Sequence, residues 1–198
     1  MPTYTPISEH LKPLDPNAAY GLMNTGATAF ISAAHEGDGD VMTCAWNCAL
    51  ALNPTKVTAV VFAGHYTRAL MEKSGYFALA LGAVGNVEAV QKLGCVSKNK
   101  DPEKLEHSGV EFFLAPGWEM PLPVGCPAYF ICRIVPEARN ESEYNLFIGE
   151  VVAGWVDDRV ATEKGEWRFE DAPRELRTVH SASGGRYYAV GEAIRVGR

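Results

Sequence analysis

The chain has 198 residues, 47% hydrophobic and 21% charged, the composition of an ordinary globular domain with enough chain for a real core. Its 24 acidic residues outnumber 18 basic ones, for a net charge of −6, which argues against nucleic acid as a general partner and means that any anion site must be built locally. No apolar run reaches the roughly 18 residues of a membrane span, and the opening MPTYTPISEHLKPLDP carries no signal-peptide pattern, so one cytoplasmic domain over residues 1–198 is expected.

Pro2, Pro6 and Pro13 prevent a long helix in residues 1–14, which read as an arm that wraps a neighbour or the body of the domain. Asp15-Pro16 is a cap followed by proline at the first helical position, predicting a short helix over 17–23 that Asn24-Thr25-Gly26 ends. Residues 27–34 form a predicted strand, the glycines and acids of 35–40 a hairpin loop, and 41–46 a returning antiparallel strand. Thr43, Cys44, Ala45, Trp46, Asn47, Cys48 and Ala49 read as the start of an irregular loop of small residues. Val57, Ala59, Val61 and Ala63 then alternate with Thr58, Val60 and Phe62, an apolar run suited to a strand covered on both faces.

Thr67 is a good N-cap for a helix over 68–74, Gly75 a good stop, and 76–81 returns to strand composition. A small-residue loop facing the start of a short helix offers backbone N–H groups and a partial positive charge to an anion such as a phosphate. Asn86 can cap a helix over 87–94 with Val87, Val90 and Leu93 on one face. The polar, basic stretch Ser97-Lys98-Asn99-Lys100 follows, and Asp101-Pro102 starts another short helix. A strand over 110–114 leads into a Pro- and Gly-rich crossing through Trp118 and Met120, then long strands over 128–135 and 144–156 joined by a charged turn at 137–143. The charged stretch 157–174 is expected on the surface. Short strands broken by glycine and proline, with few helices, predict a mainly β fold with peripheral helices: a closed antiparallel barrel.

Cys44, Cys48, Cys95, Cys126 and Cys132 are an odd set with no C-x-x-C pair. They read as reduced thiols, mostly small core residues, and with no His cluster beside them no metal is expected. His10, His35, His107 and His180 are expected on the surface. There is no G-x-S-x-G elbow, no P-loop, no recognisable Ser-His-Asp motif and no G-x-G-x-x-G after a strand.

The order and spacing of Met42-Thr43-x-x-Trp46, Asn53-Pro54, His65-Tyr66-Thr67 and Lys73-Ser74-Gly75-Tyr76-Phe77 resemble the flavin reductase-like, FMN-binding split-barrel family. The branch concerned carries M-T-x-x-W, then R-Y-T and E-x-S/T-G-x-F. A weaker likeness runs over residues 27–154 and includes Gly149-Glu150-Val151, similar to the family's G-E-V strand; Gly184-Gly185-Arg186-Tyr187 resembles its C-terminal G-G-x-Y element. The resemblance implies a split β-barrel homodimer with FMN as cofactor and NAD(P)H as a transient co-substrate met over the flavin. It implies either a flavin reductase or a non-enzymatic electron carrier of the flavoredoxin type, fed by a redox-protein partner. A barrel that has lost flavin and binds another ligand is a third class.

On this resemblance the backbone of Cys44, Ala45, Trp46, Asn47, Cys48 and Ala49, after Thr43, lines the polar edge of the flavin ring. His65, Tyr66 and Thr67 approach the phosphate, and Ser97, Lys98, Asn99 and Lys100 border the flavin. No catalytic side chain is assigned, because the isoalloxazine itself carries the electrons. Trp46 suits a core position or a cofactor contact. Three departures stand out: His65 replaces the branch arginine, Lys98-Asn99-Lys100 replaces a Gly-Arg pair with one residue inserted, and Tyr144 occupies the position of a family histidine.

Overall fold

The structure, a computed structural model, describes residues 4–19, 27–182, 184–194 and 196. Its strands are β1 (Leu11–Pro13), β2 (Ala29–His35), β3 (Asp38–Cys44), β4 (Asn47–Leu52), β5 (Thr55–Val60), β6 (Tyr76–Leu81), β7 (Phe112–Leu114), β8 (Pro121–Pro123), β9 (Ala128–Val135), β10 (Leu146–Asp157), β11 (Val179–Ser181) and β12 (Tyr187–Ala189). The helices are α1 (Tyr66–Ser74), α2 (Val87–Cys95), α3 (Lys104–His107) and α4 (Ala138–Glu143). The fold is mainly β with peripheral helices. Its main sheet is antiparallel in the order β3-β2-β6-β9-β10-β5-β4, with β1 added along β10. Among the described residues no ladder joins the outer strands β3 and β4, so the barrel is split there, although only Ala45 and Trp46 separate the two strands in the chain.

Local sequence explains most of these elements and corrects several expectations. Glu36 and Gly37 take φ of 51° and 80°, the left-handed pair that a two-residue hairpin needs, so the β2–β3 turn is tighter than a loop over 35–40. Asp38 and Asp40 consequently belong to the ladder, facing His35 and Ala33. β5 is covered on one face rather than two: Val57, Ala59 and Val61 are buried, whereas Thr58 and Val60 are half-buried and Phe62 is exposed. The stretch expected as a charged turn at 137–143 winds into α4. Residues 157–174 are not uniformly exposed, because Val160 and Phe169 pack with Leu176 in a small cluster of their own.

Two larger apolar clusters sit on opposite faces of the strands. Ile31, Leu79, Phe130 and Phe147 meet Met71 of α1, while Phe30, Tyr129 and Leu122 pack under Val90 and Leu93 of α2. Alternation along β2, β6 and β9 sends successive side chains to these two layers. Gly149 of β10 is required by this packing: a Cβ there would lie 2.5 Å from Phe77 Cζ and 2.7 Å from Cys132 Cβ.

The arm lies on its own chain over its described length: β1 pairs with Trp155, Val156 and Asp157, and Tyr4 bridges Phe112. Asp15 accepts a hydrogen bond from the Asn17 N–H at 2.9 Å and starts a single 3-10 turn, Pro16–Ala18; residues 20–23 of the helix expected over 17–23 lie outside the described residues. No described helix is long and apolar enough to cross a membrane.

Candidate functional site

The split between β3 and β4 gathers most of the predicted residues. The loop expected from Thr43 to Ala49 shrinks to Ala45 and Trp46, because Thr43 and Cys44 end β3 and Asn47 already pairs with Ala59 of β5. Small side chains disguised the strand, which alternates exposed Cys48, Leu50 and Leu52 with half-buried Asn47, Ala49 and Ala51. Val60 donates its N–H to Trp46 O at 3.0 Å. By the alternation of an antiparallel ladder, the N–H groups of Asn47 and Ala49 then point off the open edge. Trp46 itself is 73% exposed, which removes it from the core. Asn47 donates through Nδ2 to Ala27 O (3.1 Å) and Cys44 O (3.2 Å), which fixes its amide and leaves Oδ1 buried without a partner among the described residues. The Cys44 thiol is buried against Trp46 O at 3.3 Å, and burial pushes its pKa up to about 11, so it stays protonated.

The second part of the site is the start of α1. His65, not Thr67, is the N-cap, and it makes no side-chain cap bond. The helix begins earlier than expected because its first turn is tied to β3: the Tyr66 hydroxyl donates to Asp38, and the Thr67 hydroxyl donates to Asp40 Oδ2 at 2.6 Å. Thr67 is fully buried. The first-turn N–H groups of α1 therefore have no side-chain cap and keep their partial positive charge. His65 Nδ1 is buried and has no partner among the described residues. Burial, and then the charge of Lys104, hold its pKa below the ordinary value, with Asp40 pulling the other way.

The loop after α2 closes the site from the other side. Asn99 Nδ2 donates to Gly64 O at 2.9 Å. Lys98 Nζ donates to Asp38 Oδ1 at 2.5 Å and to Gly39 O at 2.8 Å, and lies 5.3 Å from the centroid of the Tyr66 ring. Lys104, at the start of α3, is buried, donating to Val41 O at 2.6 Å with Asp40 Oδ1 at 3.1 Å. That carboxylate oxygen is close enough to be an ion-pair partner yet is not aligned for a hydrogen bond. Lys100 is exposed and has no ion pair among the described residues.

Thr43, His65, Tyr66, Thr67 and Ser97 come together around a cavity of about 130 Å³, which Asp40 and Lys104 also line. Lys98 lines a neighbouring cavity of about 400 Å³ with Asp38 and Gly39. Sequence reasoning missed Asp38, Asp40 and Lys104. The signal lay in the spacing of the two acids, which puts both on one face of a strand once the hairpin is two residues long. Tyr144 is 57% exposed, at the end of α4.

Comparison with known proteins places the fold in a family. The flavin reductase like domain matches residues 21–177. The chain is similar to the uncharacterized protein YddH of Escherichia coli (strain K12), 30% identical over 188 residues that cover 93% of this chain and 97% of the relative. It is also similar to the crystal structure of an FMN-binding domain of a flavin reductases-like enzyme from Shewanella baltica OS155, with a TM-score of 0.92 and 35% identity over 97% of this chain and 100% of that one. Flavoredoxin of Desulfovibrio vulgaris (Miyazaki F) shares the fold at 18% identity, with a TM-score of 0.72 over 86% of this chain and 90% of its own. With the domain matched over most of its length, and with relatives at 30% and 35% identity, the chain belongs to the flavin reductase-like, FMN-binding domain family.

Proposed function

We propose that this protein binds FMN along the split between β3 and β4 and works as an oxidoreductase, passing hydride or electrons from NAD(P)H to flavin or to a flavin-linked acceptor. The observation that carries this reading is unfilled hydrogen-bonding capacity at the residues the motifs single out. Asn47 Oδ1 and His65 Nδ1 are buried and partnerless among the described residues, and α1 starts without a side-chain cap. Buried polar atoms are normally paired, so these fit the polar edge and tail of a flavin. In this reading Cys44, Ala45, Trp46, Asn47, Cys48 and Ala49 hold the ring, with the Asn47 oxygen accepting and the edge N–H groups donating. The first-turn N–H groups of α1 receive the phosphate end together with His65 and Ser97, in a pocket that Tyr66 and Thr67 also line. The bound isoalloxazine supplies the electron chemistry; the chain binds and orients it.

The same reading makes the protein a homodimer in the cytoplasm. Trp46, Leu50, Leu52, Phe62 and Tyr144 are exposed on or beside the neighbouring strands β4, β5 and β10, an apolar face that suits a second copy. The five free thiols fit a reducing compartment. A second reading, an electron carrier of the flavoredoxin type served by a protein partner, is favoured by the exposed Tyr144 at the position of the family histidine.

The visible spectrum of the purified protein, before and after anaerobic NADH or NADPH, tests both. Yellow that bleaches supports the oxidoreductase. A yellow protein inert to both nucleotides supports the carrier, and a colourless protein that takes up no added FMN overturns both.

A further inference from the structure

The arm, the β2–β3 hairpin, α3 and β7 together enclose the cavity of about 400 Å³ that adjoins the smaller one at the start of α1. Its walls include Tyr4 of the arm and Leu114 of β7, 38% and 36% exposed. Buried Leu105 and half-buried Ala34 line it as well. The arm is held in place there, because the Thr5 N–H donates to Phe112 O at 2.8 Å beside the Tyr4 bridge. Burial pushes the Tyr4 hydroxyl pKa above its ordinary value, so that wall is uncharged at neutral pH.

The charges of the lining are one-sided. Four carboxylates, Asp38, Glu103, Glu106 and Glu119, face a single ammonium, Lys98, among the described residues. Lys98 is already engaged by Asp38 Oδ1 and Gly39 O. Glu103 shares its charge with His107 Nε2 at 3.2 Å, whereas exposed Glu119 has no ion pair among the described residues. No three His, Cys, Asp or Glu side chains among the described residues could hold a metal ion together. The carboxylates are therefore spread around an apolar hollow rather than gathered on one point. A hollow of this size, mainly apolar with a few polar groups, has the character of a small-molecule site. Its complement in charge is a cation attached to an apolar body.

We propose that this cavity binds a small amphipathic amine, whose aromatic or branched aliphatic body lies against Tyr4, Leu105 and Leu114 and whose ammonium faces Glu119 and the neighbouring carboxylates. The site is separate from the flavin reading and stands without it. Asp38 and Lys98 line this cavity and Tyr66 the smaller one, so the Tyr66–Asp38 hydrogen bond runs between the two.

The test is titration of the isotope-labelled full chain with phenethylammonium, neutral phenethyl alcohol and anionic hydrocinnamate, followed by amide chemical shifts at pH 7 and low salt. The amine is expected to give saturable shifts at Gly37, Leu105 and Leu114. Each exposed ion pair contributes a factor of roughly 1.4 to 5, so the alcohol is expected to bind about three- to tenfold more weakly and the carboxylate more weakly still. Leu114→Trp, at a partly exposed position, fills the hollow and is expected to lower amine affinity about tenfold or more. Glu119→Gln, on the surface, is expected to weaken the amine about two- to fivefold and leave the alcohol unchanged. Absence of saturable shifts at millimolar amine overturns the inference, as do shifts that map to another face. So does a carboxylate or alcohol that binds as tightly as the amine, a Leu114→Trp variant that binds undiminished, or a Glu119→Gln loss that is absent or equal for amine and alcohol.

Discussion

The hydroxyl of Thr67 donates to Asp40 Oδ2 at 2.6 Å inside the fold, so its single proton is already committed to a carboxylate. This joins the first turn of α1 to β3 and replaces the role the sequence pointed to, a helix cap doubling as a phosphate ligand. Thr67→Val keeps the shape and removes this bond. Stability is expected to fall by about 1.5–3 kcal/mol, the worth of a hydrogen bond to a charged group, read as a lower denaturant midpoint. FMN and riboflavin affinities are expected to fall together if they fall at all. A loss confined to FMN would return the hydroxyl to the phosphate.

His65 gives a pH signature. Burial and Lys104 hold the imidazole neutral in the free protein, with its pKa below 6.5 and Asp40 only partly opposing. Protonation would favour a phosphate, so the ratio of FMN to riboflavin affinity is expected to be flat from about pH 8 to 7 and to climb only below the ordinary His value near 6.5. The second proton of the phosphate, binding near pH 6, limits the climb. His65→Arg places a permanent charge at the position. It is expected to raise FMN affinity about tenfold at pH 8 and to abolish the slope. Identical FMN binding by both proteins at both ends of the range would remove His65 from the site.

Gly149→Ala brings a methyl group against Phe77 and Cys132 at distances no Cβ tolerates. Overpacking of this kind costs about 1–3 kcal/mol, or roughly 2–4 °C of Tm per kcal/mol for a chain of this size. Because the clash is with the far end of the Phe77 ring, Phe77→Leu is expected to cost less in the Gly149→Ala background than in wild type. Strict additivity of the two in a double-mutant cycle would place the strain elsewhere.

The apolar face predicts an oligomer. Sedimentation with FMN present is expected to give twice the mass of the 21.5 kDa chain. Leu50→Lys, on the exposed side of β4, is expected to yield a folded monomer at micromolar concentration. A wild-type monomer under those conditions contradicts the dimer, and an unchanged dimer in the variant moves its interface off β4.

What the sequence made legible was local. The strand over 76–81 coincides with β6 because Gly75, with φ of 75°, ends α1 immediately before it, and the strand over 128–135 coincides with β9 for the apolar run from Ala128 to Cys132 that begins it. The family motifs fall on the end of β3, the start of β4 and the start of α1, which the fold brings to the same split. What stayed hidden depended on distant partners. Asp38 and Asp40 look like loop acids until Lys98, 60 positions away, and Thr67, 27 positions away, supply their counterparts. Asn47, Cys48 and Ala49 look like a loop because small residues carry little strand propensity of their own; pairing with β5 decides their conformation. Lys104 falls in the short helix that Asp101-Pro102 starts, and only a carbonyl and a carboxylate on β3, neither of them visible in the local sequence, make its burial tolerable.

The two-residue connection between β3 and β4 also governs how the barrel can breathe. From Cys44 to Asn47 the chain makes three Cα steps, so the strand ends there can never stand more than about 11 Å apart. At that end the opening is a slot of bounded width, whatever occupies it. The far ends are tethered differently, β3 by the Glu36-Gly37 hairpin to β2 and β4 by the Asn53-Pro54 turn to β5, and no short tether joins them to each other. Any widening is thus angular: the gap opens as a wedge pivoting on Ala45 and Trp46, and its travel grows with distance along β3 from Cys44 toward Asp38.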